Sequence, residues 1–110
     1  MSSSNLFAGT MAEMTYPAIA AAASRKAGVL VPVGVIEQHG PHLPTGTDAL
    51  IAGDLCRMTR DEAAKLGAEL VISPPFFWGV NHIFAGFPGT FRTRPEIAAG
   101  LLTDILDTLA

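Results

Sequence analysis

One feature restricts the architecture more than any other. An apolar, β-branched run, Val29–Ile36, opens directly into a loop punctuated by glycine and proline that ends at Asp48. A short run of this kind reads as a parallel strand buried on both faces. The loop carries Glu37, His39 and His42, and Asp48 stands at the start of the next helical pattern. If the strand continues through Glu37 and His39, residues two apart point to the same side. A carboxylate and an imidazole would then meet at the carboxyl end of a strand, where open α/β sheets bind ligands.

The rest of the chain supplies helices and one more strand. Met1–Thr10 reads as a loose polar start. Thr15 reads as the cap of a helix running to Lys26, with Pro17 in its first turn and Gly28 as its stop. A second helix spans Asp48 to Gly67, with Leu50, Ile51, Leu55, Met58 and Leu66 as its apolar stripe and Arg57, Arg60, Asp61, Glu62 and Lys65 toward water. Glu69–Ser73 is a short strand stopped by Pro74-Pro75. The long aromatic and glycine-rich loop Phe76–Arg92 has the length of a functional loop. Thr93-Arg94-Pro95-Glu96 has the form of a capping box, and Ile97, Leu101, Leu102, Ile105, Leu106 and Leu109 fall on one face of the helix that follows. The order helix, strand, helix, strand, helix is that of an α/β layer fold with a parallel sheet. Two strands are few for three helices. Residues 1–110 therefore read as the N-terminal portion of a single larger α/β domain, cut after the third helix.

Composition removes several function classes. The 110 residues carry 7 basic and 10 acidic side chains, with no basic run, so nucleic acid is not an expected partner. Ala18–Ala23 is far too short to span a bilayer, and no positive segment precedes it as in a signal peptide. The single cysteine, Cys56, excludes an internal disulfide and fits a reducing cytoplasm. It reads as a buried, inert thiol beside Leu55.

The chemistry of the Glu37–Asp48 loop has two readings. Glu-x-His is common as a solvated loop, and an aspartate at a helix start often caps it. As a set, however, Glu37, His39 and Asp48 offer mixed nitrogen and oxygen ligands, which suit Zn²⁺ or Mn²⁺ better than Ca²⁺. Such ions polarise a carbonyl and activate water near neutral pH. His42 fits hydrogen bonding around such a site as well as ligation. In the aromatic loop, His82 reads as touching substrate or a neighbouring subunit, or as a packed loop histidine, and Trp78 as the wall of a pocket or as an oligomer contact. Phe87-Pro88-Gly89-Thr90 reads as a tight turn, and Arg92 and Arg94 as solvated charge.

Pro32-Val33-Gly34, Glu37-Gln38-His39-Gly40-Pro41-His42-Leu43-Pro44 and Gly46-Thr47-Asp48 resemble the creatininase family of metal-dependent amidohydrolases. Phe87-Pro88-Gly89-Thr90 with Arg94-Pro95-Glu96 is also similar to that family. The resemblance implies an α/β enzyme with two metal ions, Zn²⁺ or Mn²⁺, per complete site. It implies homo-oligomers, often hexamers, and a small-molecule substrate. Carried over by motif, Glu37 binds one metal, His39 the other, and Asp48 bridges them. The reaction implied is attack of a metal-activated water on the C–N amide bond of a small cyclic amide or related ring. Some branches of the family act on peptide-like substrates. Gly79-Val80-Asn81-His82 departs from what creatininase itself leads one to expect, so creatinine is not the assigned substrate. The family's remaining ligands lie around a later Gly-His pair, and none occurs in these 110 residues. A catalytically incomplete remnant, serving at most as an assembly partner, is therefore the second expectation.

Overall fold

The structure, a computed structural model, describes residues 5–110. Three α-helices, α1 (Tyr16–Ser24), α2 (Thr47–Lys65) and α3 (Pro95–Leu109), accompany two strands, β1 (Gly28–Leu30) and β2 (Leu70–Ile72). The chain divides into two compact units. One holds the residues up to Pro32 together with Ala52–Pro75; the other holds Val33–Ile51 and Phe76–Ala110.

In the first unit β1 and β2 pair in parallel, with Gly28 opposite Leu70, Val29 opposite Val71 and Leu30 opposite Ile72. Ser73 adds one more rung by donating its N–H to the Leu30 carbonyl at 2.9 Å. Val29 and Leu30 are only half-buried, not covered on both faces as expected, while Ile72 is 1% exposed. Gly28 is exposed at the start of β1, and a Cβ on it would press on the movable Cδ2 end of Leu70 at 2.8 Å.

Helix α1 begins as the sequence indicates. Thr15 caps it, its hydroxyl accepting from Ala18 N, and Pro17 lies in the first turn. It stops earlier than expected. Lys26, not Gly28, takes the left-handed conformation, with φ 58°. Ala27 N bonds back to Ala22 O at 3.1 Å and Lys26 N to Ala23 O at 2.9 Å. This is the two-bond arrangement that closes many helices. The C-terminus of α2 repeats it: Gly67 has φ +82°, Ala68 N bonds to Ala63 O and Gly67 N to Ala64 O.

Three other expectations give way. Ile51, Leu55, Met58 and Leu66 do not form the covered side of α2; they are exposed, whereas Ala49 and Gly53 are buried. Arg57 and Arg60 do not simply face water. Their guanidiniums donate to the carbonyls of Ala8 (3.2 Å) and Gly9 (3.0 Å). The two arginines thereby satisfy backbone carbonyls of the N-terminal segment. Asn5–Thr10 is accordingly not loose. Glu13 also receives Gly9 N at 2.9 Å and the Asn5 amide at 3.2 Å, and Thr10 is 2% exposed. The remainder of the expected loose start, Met1–Ser4, lies outside the described residues.

In the second unit α3 starts at Pro95 with Arg94 as its cap residue and no side-chain cap bond, so the Thr93–Glu96 capping box does not form. Proline holds the residue before it extended and has no N–H to cap, which fixes the start one residue later. Ala98 is buried and Leu102, Ile105 and Leu109 are half-buried, but Ile97, Leu101 and Leu106 are exposed. No helix among the described residues is long and apolar enough to cross a membrane.

Candidate metal centre

All of the candidate site lies in the second unit. The apolar run does not continue as one strand to Ile36. Pro32 has no N–H for a ladder, and beyond it Val33 and Val35 make only isolated bridges, parallel to Phe76 and antiparallel to Trp78. Gly34 sits between them, its N–H donating to Phe76 O at 2.8 Å and its carbonyl accepting from Gly79 N at 3.3 Å. It has no side chain for a steric reason. A Cβ there would lie 2.9 Å from Asp48 Cβ and 3.1 Å from Ala49 N. The glycine lets the first turn of α2 come against this segment and brings Asp48 to the loop.

The loop itself is pinned from three directions. Glu37 N donates to Thr45 O at 3.1 Å, Gln38 N to the Thr90 hydroxyl at 2.9 Å, and Phe91 N to Ile36 O at 2.9 Å. Gly40, at φ +76°, turns the chain away after His39. Thr90 closes the Phe87–Thr90 turn expected from the sequence, where Gly89 has φ +77° and Thr90 N bonds to Phe87 O at 3.2 Å.

These constraints bring Glu37, His39 and Asp48 together. One ligand atom from each lies within 4.8 Å of the others, and all three residues are half-buried. Asp48 is not the helix cap. It stands inside the first turn of α2, which begins at Thr47, where the positive end of the helix favours a carboxylate. His39 Nδ1 lies 3.0 Å from the Glu37 carbonyl oxygen and Nε2 lies 3.0 Å from Asp48 Oδ1. A carbonyl only accepts, so Nδ1 carries a hydrogen. In neutral imidazole, Nε2 would then turn a lone pair toward a carboxylate oxygen. With His39 protonated at both ring nitrogens, Nε2 donates to Asp48 Oδ1 and the pair is charge-assisted. The Glu37 carbonyl above all, and the Asp48 and Glu37 carboxylates, raise the His39 pKa above its ordinary value against the effect of burial. Side-chain exposures of 20% for His39 and 33% for Asp48 leave the pair open to an entering ion. The donor set thus fits a divalent ion: imidazole nitrogen and carboxylate oxygens, preassembled and reachable.

The other sequence candidates do not join this group. His42 is exposed at the turn after Gly40, and His82 is exposed in the aromatic loop. Trp78 is 39% exposed and packs against Phe77, with ring centroids 4.8 Å apart, and edge-on to Phe91 at 5.4 Å. Arg92 and Arg94 are exposed, as expected. Cys56, in the first unit, is half-buried, and burial pushes its thiol up, in keeping with an inert residue. Sequence reasoning missed Asn81. It is 6% exposed, and its amide donates to Glu37 Oε2. The sole clue available was a polar residue in an otherwise aromatic loop.

The sequence profile of the creatininase family, described as creatinine amidohydrolase, matches residues 12–110. The chain belongs to the creatininase family. This creatininase-family chain is 44% identical over 63 residues to the mycofactocin precursor peptide peptidase of Mycolicibacterium smegmatis, covering 56% of the chain and 26% of that protein. It is 29% identical over 115 aligned residues to the creatinine amidohydrolase of Pseudomonas putida, covering 98% of the chain and 41% of that enzyme. Among solved structures, a manganese form of creatininase superposes with a TM-score of 0.79 at 25% identity, over 92% of this chain and 40% of that one. A zinc–zinc form of a mutant creatininase gives 0.78 at 26% identity, over 91% and 39%. The α/β fold is that of these enzymes, and the chain spans less than half the length of the relatives it matches.

Proposed function

We propose that Glu37, His39 and Asp48 form part of a two-metal centre, for Zn²⁺ or Mn²⁺, that hydrolyses a C–N amide bond. The observation that carries the reading is the convergence of three ligand atoms within 4.8 Å in a creatininase-family chain. Glu37 is assigned to one ion, His39 to the other, and Asp48, with an oxygen for each, to both. Bound there, divalent ions supply Lewis-acid polarisation of a carbonyl and activation of water near neutral pH. The chain's own part is to hold the donors in place. The Glu37 carbonyl fixes the His39 ring, Thr45 and Thr90 fix the loop backbone, and Gly34 admits Asp48. Three protein ligands leave coordination positions open on two ions, so the reading needs further ligands from polypeptide outside residues 1–110 or from a second copy.

The substrate assigned is a small cyclic amide or a related ring, with a short peptide as the competitor. The names of the relatives support both, a creatinine amidohydrolase and a peptide peptidase. His42, Trp78 and His82 are assigned either to substrate contact or to hydrogen bonding around the site. A cytoplasmic setting accords with the single unpaired cysteine. A homo-oligomer, hexameric as the family resemblance implies, accords with the exposed apolar side chains Ile51, Leu55, Met58, Ile97, Leu101 and Leu106. The same side chains favour the second reading, an assembly partner without activity of its own.

Metal content per chain, measured on gel-filtered protein, tests the proposal together with hydrolysis of creatinine and of a peptide amide. Near-stoichiometric Zn or Mn with hydrolysis of either substrate is the expected result. Soluble protein that takes up no metal from excess Zn²⁺ or Mn²⁺ overturns a centre completed by a second copy of residues 1–110.

A further inference from the structure

Asn81 is the most buried polar side chain of the aromatic loop. Both ends of its amide are used. The NH₂ group donates to Glu37 Oε2, and Oδ1 accepts from Phe84 N at 3.3 Å. The second bond fixes the first. With Oδ1 turned to the Phe84 N–H, the NH₂ must face the carboxylate. At 6% exposure no water competes freely for either. Glu37 thus has one carboxylate oxygen occupied, while its other oxygen meets no donor among the described residues.

We infer that Asn81 is a positioning residue for the metal centre, holding Glu37 so that one oxygen only is offered to its ion. This rests on the metal reading proposed above. A carboxylate left to rotate can bind an ion through one or both oxygens and loses side-chain entropy when it does so. A carboxylate already held by a donor binds through the free oxygen without that loss. Partners of this type typically contribute 10–100-fold to metal affinity.

The test compares the wild-type chain with Asn81→Leu, which matches the asparagine in size and removes both hydrogen-bonding ends. Calorimetric titration of metal-stripped protein with Zn²⁺ reads affinity, and circular dichroism reads the fold. The expected result is an unchanged fold with Zn²⁺ bound about 10–100-fold more weakly. A second readout needs neither metal nor that variant. The Asn81 side-chain amide proton should resonate downfield, exchange slowly, and lose both properties in Glu37→Ala. That measurement decides the matter if Asn81→Leu does not fold. Wild-type Zn²⁺ affinity in a folded Asn81→Leu overturns the positioning role and leaves the metal reading intact. An Asn81 amide indifferent to Glu37→Ala does the same. Failure of the wild-type chain itself to bind Zn²⁺, equal to Asp48→Ala, overturns both, because Glu37 would then have no ion to be aimed at.

Discussion

At the scale of single residues, Gly34 and Asp48 form a pair in which one exists for the other. The missing side chain of Gly34 admits Asp48, so Gly34→Ala should displace the first turn of α2 and weaken metal uptake while leaving the fold recognisable by circular dichroism. Metal affinity equal to wild type would show that the turn absorbs the methyl group. Asp48→Ala, which removes the proposed bridge, should abolish binding of both ions, whereas Glu37→Gln should lose one and keep the other. Counting bound metal in each variant separates the two roles, and equal loss in both contradicts the assignment. A third residue-scale prediction concerns Arg25 and Glu69, whose side chains meet through two bonds of 2.8 Å. The Arg25 guanidinium holds the Glu69 carboxyl below its ordinary pKa. A depressed folded pKa means stability that is present above the unfolded value and is lost as pH falls through the folded one. Thermal unfolding of wild type and Glu69→Gln should therefore differ near neutral pH and converge in acid. Both groups are largely solvated, so the difference is small.

At the scale of elements, α1 and α2 end in the same pair of backbone bonds, one with Gly67 and the other with Lys26 in the left-handed position. A side chain there is strained by about 1 kcal/mol. Lys26→Gly should stabilise the chain by about that amount, read from urea unfolding, and a loss of stability would show that the lysine side chain makes up for its strain. In the two-stranded sheet, Ile72 has the largest fully buried side chain among the described residues. Ile72→Ala should cost about 2–5 kcal/mol. The sequence located these elements well, because capping chemistry is local: Thr15, Gly67 and Pro74-Pro75 act on their immediate neighbours. It mislocated the start of α3 because two local signals competed, the Thr93 box and Pro95, and the proline ring is the stronger geometric constraint. The inward side of α2 could not be read from periodicity. Its large apolar residues form the exposed side and Ala49 and Gly53 the buried one, Ala49 because its backbone lies close against Gly34.

At the scale of the whole molecule, the chain carries more apolar surface than its two units cover. Ile51, Leu55 and Met58 on α2 and Ile97, Leu101 and Leu106 on α3 are all between 42% and 62% exposed. Self-association measured by gel filtration should fall when Leu55 and Leu101 are each replaced by Glu, if those faces are the contact. The sequence by itself determined the kinds of chemistry available. A β-branched run, a Gly/Pro loop and the triad Glu37, His39, Asp48 all lie within one stretch of the chain. Only the tertiary structure decided that donor atoms of Glu37, His39 and Asp48 converge, that His39 Nε2 lies beside Asp48 Oδ1, and that the Asn81 amide donates to Glu37. These are facts about distance between residues up to 44 positions apart. Periodicity carries no information about such separations, because it describes how a segment sits on its own axis and not which distant segment comes to face it.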